Sequence, residues 1–163
     1  MAKSISGRIL VVDDEVELTK ALCETLTAQN FAVTGVNSGK DALKAIESES
    51  FDVILSDLMM PGMDGIQMLR DALALDSQLV GIIMTGQGTV QTAVEAMKLG
   101  AFDYVLKPFK LQAMLPILNR AMQVRRLHME NVRLRQWAER LSFESPRFTL
   151  IGSSPACVGW FIS

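Results

Sequence analysis

Carboxylate, hydroxyl and ammonium side chains, which could bind a cation and an anionic ligand, follow four separate apolar runs. Asp13 and Asp14 end one run, and Asp57, Thr85 and Lys107 come at or just past the ends of three others. Crowded carboxylates would repel one another unless a cation lay among them. Magnesium suits such a group, since it takes one or two carboxylates, water and phosphate oxygens. These residue types therefore indicate a site for a hard divalent cation such as Mg²⁺, provided that the fold brings them together.

By itself, the Asp13-Asp14-Glu15 sequence is also typical of a solvated loop whose acids cap a helix. Asp57 and Lys107, at equivalent places after later apolar runs, favour the metal-binding interpretation. Polar sites in parallel sheets form beyond the carboxyl ends of the strands, which is where all these residues would lie.

The elements that must position these residues alternate between short apolar strands and amphipathic helices. This alternation predicts an α/β fold with a parallel sheet covered by helices on both faces. Ser38 is a plausible N-cap, Gly100 a plausible helix stop, and a long helical pattern runs from after Pro108 to about Leu141. The predicted strands are Arg8–Val12, Phe31–Val36, Asp52–Ser56, Val80–Met84 and Phe102–Leu106, and the predicted helices between them are Glu15–Gln29, Gly39–Ser48, Asp64–Leu75 and Thr89–Leu99.

Composition and charge divide the 163-residue chain into an acidic part and a basic extension. Residues 1–109 hold 15 acidic and 8 basic residues, whereas residues 110–163 hold 3 acidic and 8 basic ones. The longest apolar runs are far too short for a membrane span, and the N-terminus does not look like a secretory signal. Cys23 and Cys157 lie too far apart for a metal or redox motif. We therefore expect a cytoplasmic protein without membrane contact.

Four motifs occur along the chain in this order: Ile9-Leu-Val-Val-Asp-Asp-Glu15, Ser56-Asp-Leu-Met-Met-Pro-Gly-Met-Asp-Gly65, Met84-Thr-Gly86 and Asp103-Tyr-Val-Leu-Lys-Pro-Phe109. Together they resemble the response-regulator receiver family of two-component signalling. The resemblance covers residues 8 to about 122 and implies a flavodoxin-like doubly wound (βα)5 fold, with strand order 2-1-3-4-5 and an extended C-terminal helix. We expect a receiver domain over 1–122, a linker or coiled-coil helix over 123–141, and a partial output domain or disordered tail over 142–163.

The resemblance implies that Asp57 is the phosphoacceptor and that a sensor histidine kinase supplies the phosphoryl group. Asp14 and Asp57 would bind Mg²⁺ directly, together with the backbone carbonyl of Met59, and Asp13 would act through water. The chain would then be a signalling domain rather than a turnover enzyme. A magnesium-dependent phosphohydrolase using the same aspartate, distinguished by repeated release of phosphate, and a receiver that is never phosphorylated are the alternatives.

The resemblance also implies roles for the residues at the later strand ends. Thr85 and Lys107 would bind the phosphoryl group, and Thr85 with Tyr104 would form the switch. Alone, Tyr104 would be read as a half-buried strand tyrosine. Similarly, Pro108 alone would be read as a trans proline at a helix start, whereas the family implies a cis peptide between Lys107 and Pro108. Met59 and Gln87 occupy positions that tune phosphoryl lifetime in the family.

Apolar residues at alternating spacings of three and four along the last helix indicate a coiled-coil seam and a homodimer. The alternatives are an amphipathic helix packed on its own domain and a dimer through the face of the fourth and fifth helices. The predicted seam consists of Val124, Leu127, Asn131, Leu134, Ala138 and Leu141.

Other features of the basic extension give weaker signals. No second helix or aromatic-basic pattern accompanies its arginines, so we expect no direct nucleic-acid binding. His128 lacks a histidine-kinase motif and is interpreted as a surface residue. Leu150–Ala156 resembles the start of the AAA+ ATPase domain in nitrogen-regulation-type response regulators, but no Walker A sequence follows within the chain.

Overall fold

Five strands and five helices alternate along the part of the chain that the structure, a computed structural model, describes: residues 5–86 and 89–144. The described residues divide into two units, one up to Arg126 and the other from Leu127 onward. The strands are Arg8–Val12 (β1), Ala32–Val36 (β2), Val53–Asp57 (β3), Val80–Thr85 (β4) and Asp103–Leu106 (β5). The helices are Val16–Ala28 (α1), Gly39–Ser48 (α2), Gly65–Leu75 (α3), Val90–Lys98 (α4) and Leu111–Glu144 (α5).

The strands form one parallel sheet in the order β2-β1-β3-β4-β5, which confirms the predicted flavodoxin-like α/β fold and strand order. Val12 at the end of β1 lies beside Ser56 of β3, and Asp57 lies beside Met84 of β4. Thr85 in turn lies beside Leu106 of β5. This register places the carboxyl ends of the four strands at one edge of the sheet.

Each face of the sheet carries its own apolar core. Successive residues of a strand point to opposite faces. Ile9 and Val11 of β1 therefore join the cluster that includes Leu22 of α1 and Met114 and Leu118 of α5. Leu10 and Val12 join the second cluster, which contains residues of α2, α3 and α4. Burial on both faces explains why the β1 and β3 sequences are almost continuously apolar.

Capping residues fix several helix ends. Ser38 accepts a hydrogen bond at its Oγ from the Asp41 N–H at 3.1 Å, as predicted for an N-cap, and Asp64 caps α3 through the Gln67 N–H at 2.7 Å. Glu15, Asp64 and Thr89 lie outside the hydrogen-bonded helices as N-caps, so α1, α3 and α4 each begin one residue later than predicted. Gly100 follows α4 with φ +104°, the left-handed conformation expected of a helix stop.

α5 is 34 residues long and continues through Pro116, which lies on an exposed side. At the usual rise it measures about 50 Å, and it extends to Glu144 rather than to the predicted Leu141. The domain boundaries at 122 and 141 stay predictions, and Leu150–Ala156 lies outside the described residues. Among the described helices, none combines the length and apolar content that crossing a membrane requires.

Candidate functional site

The predicted chemical residues meet at the carboxyl edge of the sheet. Asp57 and Thr85 are the last residues of β3 and β4, Asp13 and Asp14 follow β1, and Lys107 follows β5. All of them except the fully buried Asp13 line a cleft of about 360 Å³. Its lining residues are Asp14, Glu15, Asp57, Met59, Thr85, Gly86 and Lys107.

Three carboxylates converge in this region. One oxygen from each of Asp13, Asp14 and Asp57 lies within 4.8 Å of the other two. Asp13 is completely buried and Asp57 is 7% exposed, whereas Asp14 is exposed. Burying like charges is unfavourable unless a cation compensates them. Hard oxygen donors, two of them buried and one open to solvent, fit a magnesium ion that keeps part of its hydration shell.

Lys107 is the protein's own cation at this cluster. Its Nζ donates to Asp13 Oδ2 at 2.7 Å and lies 3.1 Å from Asp57 Oδ1. Burial acts to lower the pKa of the Lys107 ammonium, but the hydrogen bonds and charges of Asp13 and Asp57 outweigh burial and raise it above its usual value. Lys107 is therefore charged at neutral pH and joins the two acids.

The charge of Asp57 is not fully compensated by Lys107. Burial, followed by the charge of Asp13, raises the pKa of the Asp57 carboxyl above its usual value. The hydrogen bond and charge of Lys107 act in the opposite direction but do not cancel this rise, and Asp14 adds to it. A divalent cation among the acids would supply the missing positive charge.

Thr85 and Tyr104 occupy neighbouring strands. Thr85 is 1% exposed and lines the cleft, and its carbonyl accepts a hydrogen bond from the Lys107 N–H at 2.7 Å. Tyr104 is half-buried on β5, and its hydroxyl lies 2.8 Å from Thr92 Oγ1 in the first turn of α4. The phenol of Tyr104 is thus linked to α4.

Among the other predicted residues, Met59 is 65% exposed and lines the cleft, and the Lys107–Pro108 peptide is cis. Gln87 lies outside the described residues. The predicted seam lies on α5, where Val124 is half-buried. The other seam residues, Leu127, Asn131, Leu134, Ala138 and Leu141, are exposed.

Sequence reasoning missed two residues that hold the loop after β1. Asn37 Nδ2 donates to the Asp13 carbonyl at 2.8 Å, and Thr19 Oγ1 lies 3.0 Å from the same oxygen. Both are ordinary polar residues without a motif. The one available signal is the threonine itself, a polar residue that directly follows Leu18, the first of three leucines spaced four residues apart in the first helix (Leu18, Leu22 and Leu26).

The family model of the response regulator receiver domain matches residues 9–119. The C4-dicarboxylate transport transcriptional regulatory protein DctD of Rhizobium meliloti is 38% identical over 152 residues, which are 93% of this chain and 32% of DctD. The transcriptional regulatory protein ZraR of Escherichia coli K12 is 35% identical over 148 residues, 91% of this chain and 32% of ZraR. The chain thus spans about a third of the length of these curated relatives.

Solved structures agree with this relationship. A response regulator receiver domain protein from Clostridium thermocellum superposes with a TM-score of 0.71 at 31% identity, covering 74% of this chain and 98% of that one. NtrX from Brucella abortus, in complex with ATP, superposes with a TM-score of 0.74 at 28% identity over 80% of this chain and 30% of NtrX. On the family match, the shared fold and the converging acids, lysine and threonine, this chain belongs to the response regulator receiver domain family of two-component signalling.

Proposed function

We propose that Asp57 accepts a phosphoryl group from a phosphohistidine of a sensor histidine kinase, with Mg²⁺ bound beside it. One observation carries this proposal. Asp57 is the last residue of β3 and lines the cleft. Its carboxylate lies 3.1 Å from the Lys107 ammonium and close to the carboxylates of Asp13 and Asp14. The chain then acts as a switch that is phosphorylated and dephosphorylated, rather than as an enzyme that turns over substrate.

Asp14 and Asp57 would hold the ion directly, with the backbone carbonyl of Met59, and Asp13 would act through water. Bound there, Mg²⁺ would neutralise charge on the phosphoryl oxygens and the acceptor. Asp13 has a second task, since its buried carboxylate accepts a hydrogen bond from Lys107 at 2.7 Å and so fixes the position of the ammonium.

In the transfer step, a carboxylate oxygen of Asp57 attacks phosphorus. The new P–O bond forms as the P–N bond of the phosphohistidine breaks, and the departing imidazole nitrogen keeps the bonding pair and takes up a proton. Lys107 offers its ammonium to one phosphoryl oxygen, and Thr85 offers its hydroxyl to another. Positioning and charge neutralisation are the main demands of phosphoryl transfer, so this small set of residues suffices.

The proposed switch couples this step to the surface of α4 and β5. A phosphoryl group on Asp57 would draw the Thr85 hydroxyl inward, and Tyr104 would follow it and leave Thr92. In this proposal the unphosphorylated protein already samples both positions of Tyr104, the one at Thr92 and the inward one, and phosphorylation shifts the equilibrium towards the inward position. The surface that changes carries exposed apolar side chains, which are Val90, Val94, Met97 and Leu106.

The test is the intact mass of the full chain after incubation with acetyl phosphate and Mg²⁺. We expect wild type to gain one phosphoryl group, Asp57→Asn to gain none, and Asp41→Asn, which removes an exposed carboxylate on α2, to behave as wild type. A gain that survives Asp57→Asn contradicts the proposal. Release of many phosphates per chain would support a phosphohydrolase instead.

A homodimer is the second part of the proposal, through the α5 seam or through the α4–α5 face. On the seam, Leu127, Leu134 and Leu141 recur every seventh residue and are 65%, 55% and 38% exposed. Sedimentation of wild type, Leu134→Glu and Val94→Glu, with and without phosphorylation, distinguishes the two faces. A monomer under all conditions contradicts both.

We propose that the protein carrying this receiver controls transcription, because its relatives DctD and ZraR are transcriptional regulatory proteins by name. We expect the described residues to make no direct contact with nucleic acid or with a membrane. Gel shifts with nonspecific duplex DNA at low salt test this expectation, because binding by the α5 arginines would depend steeply on salt.

A further inference from the structure

In the loop after β1, which carries Asp13 and Asp14, the backbone carbonyl oxygen of Asp13 is contacted by two polar side chains. Asp13 follows the last residue of β1, and its N–H donates to the Val36 carbonyl at 3.2 Å. Its own carbonyl receives the Asn37 amide at 2.8 Å and lies 3.0 Å from Thr19 Oγ1. Asn37 follows β2 and Thr19 lies on α1, so two elements converge on this one oxygen.

The hydrogen bonds among these groups form a closed set. Asn37 Nδ2 has two hydrogens, and its second acceptor is Thr19 Oγ1 at 3.1 Å. The single hydrogen of the threonine hydroxyl then serves the carbonyl of Asp13 or that of Glu15, each 3.0 Å away. Each donor thus has an acceptor within the loop, which is the condition for a rigid polar cluster.

The fold leaves room for Thr19 at this point. Thr19 is 5% exposed, and a Cβ added to Gly35 of β2 would lie 2.6 Å from Thr19 Cγ2. The absence of a side chain at position 35 therefore lets α1 approach β2 closely enough for the hydroxyl to reach the loop.

Fixing the Asp13 carbonyl orients the peptide plane that also contains the Asp14 nitrogen. The Asp13 side chain is held separately, by Lys107 at 2.7 Å and by the Glu15 N–H at 2.9 Å. Asp14 is exposed, so its carboxylate depends on this backbone for its approach to Asp57.

We propose that Asn37 and Thr19 are positioning residues that pre-organise the Asp13–Asp14 pair for Mg²⁺, an inference that rests on the proposed function of the site. Removing either contact lets the acids move apart before the metal binds. The dissociation constant for Mg²⁺ then rises by roughly three- to tenfold, the effect of one lost hydrogen bond. The acceptor Asp57 and the cation Lys107 stay in place, so saturating Mg²⁺ restores the phosphorylation rate.

The experiment is calorimetric titration of the full chain with Mg²⁺ alone, followed by phosphorylation rates from acetyl phosphate across Mg²⁺ concentrations. The variants are Asn37→Ala, Thr19→Val and the conservative Thr19→Ser. Thr27→Val is the matched control, because Thr27 Oγ1 donates at 2.6 Å to the Cys23 carbonyl of the same helix, away from the loop.

We expect weaker Mg²⁺ binding in Asn37→Ala and Thr19→Val, wild-type binding in Thr19→Ser and Thr27→Val, and equal maximal rates in all of them. Unchanged Mg²⁺ affinity in Asn37→Ala and Thr19→Val, or a lower maximal rate without an affinity change, overturns the positioning role. So does a wild type that binds no Mg²⁺. A wild type that binds Mg²⁺ but takes no phosphoryl group contradicts the proposed function alone, because the affinities still decide the role of Asn37 and Thr19.

Discussion

The hydroxyl of Tyr104 on β5 and Oγ1 of Thr92 on α4 lie 2.8 Å apart, which links the proposed switch residue to a helix cap. Thr92 Oγ1 also accepts the Thr89 N–H, and Thr89 Oγ1 accepts the Thr92 N–H, both at 3.1 Å. These reciprocal bonds form a capping box. Movement of Tyr104 towards Thr85 would therefore remove a partner from the residue that closes the N-terminus of α4.

Replacing Thr92 with valine should weaken this end of α4. The variant loses the oxygen that accepts the Thr89 N–H and bonds to Tyr104, so we expect the free energy of unfolding to fall by about 1 kcal/mol, as for other capping losses. Thr92→Ser keeps the hydroxyl and should stay close to wild type. Urea denaturation measures both, and an equal loss in the two variants would show that the methyl group matters rather than the hydrogen bonds.

Asp57→Asn should raise the thermal unfolding midpoint of the metal-free protein at neutral pH. Folding raises the pKa of Asp57 through burial and the charge of Asp13, so the folded state binds this proton more tightly than the unfolded state. The ionised Asp57 therefore destabilises the folded state at pH values above its raised pKa. This destabilisation decreases as the pH falls through the raised pKa, and it is absent below the pKa that Asp57 has in the unfolded chain. The asparagine removes this destabilisation.

Calorimetry in EDTA from neutral to acid pH checks this prediction. The midpoint gap between Asp57→Asn and wild type should narrow as the pH falls, and Asp41→Asn should show no such gap. Added Mg²⁺ should stabilise wild type more than Asp57→Asn, since a ligand stabilises the form that binds it. A gap that is constant with pH would contradict the assignment to Asp57.

Lys107→Met should destabilise the metal-free protein and strengthen its binding of Mg²⁺. The substitution leaves Asp13 and Asp57 without their shared cation, and removing one partner of a buried pair costs about 3–5 kcal/mol. Because the Lys107 side chain is 15% exposed, we expect the lower end of that range, about 3 kcal/mol. Denaturation and Mg²⁺ titration measure the two effects, with Lys98→Met on the exposed side of α4 as the control. Weaker Mg²⁺ binding in Lys107→Met would contradict the prediction.

The positions of the chemical residues could be predicted because each lies at or just past the carboxyl end of a strand. Parallel strands end at one edge, so Asp13, Asp57, Thr85 and Lys107 had to converge once the five apolar runs were assigned to one sheet. The residue types then suggested the chemistry. The predicted start of α2 at Gly39 was correct, whereas the predicted starts of α1, α3 and α4 were one residue early, because an N-cap such as Thr89 precedes the hydrogen-bonded helix.

The supporting residues could not be predicted, since their roles depend on contacts that form only in the folded chain and that no motif encodes. Thr19 acts through a carbonyl six residues away, and Asn37 reaches the same oxygen from the end of another strand. Arg125 is similar. Arg126 and Arg133, on the same helix, are exposed, whereas Arg125 is 3% exposed. The spacing of the basic residues along α5 does not predict which of them is buried.

Arg125→Met should be the most damaging single arginine substitution on the part of α5 that packs on the sheet. Arg125 Nη2 lies 3.2 Å from Asp76 Oδ2, and its Nε lies 3.4 Å from Asp52 Oδ1, so a buried guanidinium joins the residues that precede β3 and β4. Removing it leaves Asp52 and Asp76, whose side chains are 35% and 27% exposed, without their cation. We therefore expect a loss of about 2 kcal/mol in the free energy of unfolding, as for hydrogen bonds to charged groups.

Arg120→Met is the matched control on the same helix. Arg120 pairs with Asp103 at 3.7 Å, its side chain is 63% exposed, and such surface pairs contribute less than about 1 kcal/mol. Chemical denaturation of the two variants therefore separates a buried anchor from a solvated ion pair. Equal losses would mean that the Asp52 and Asp76 contacts contribute no more than an ordinary surface ion pair. Apolar packing, which includes Met114 and Leu118, would then hold α5 on the sheet without them.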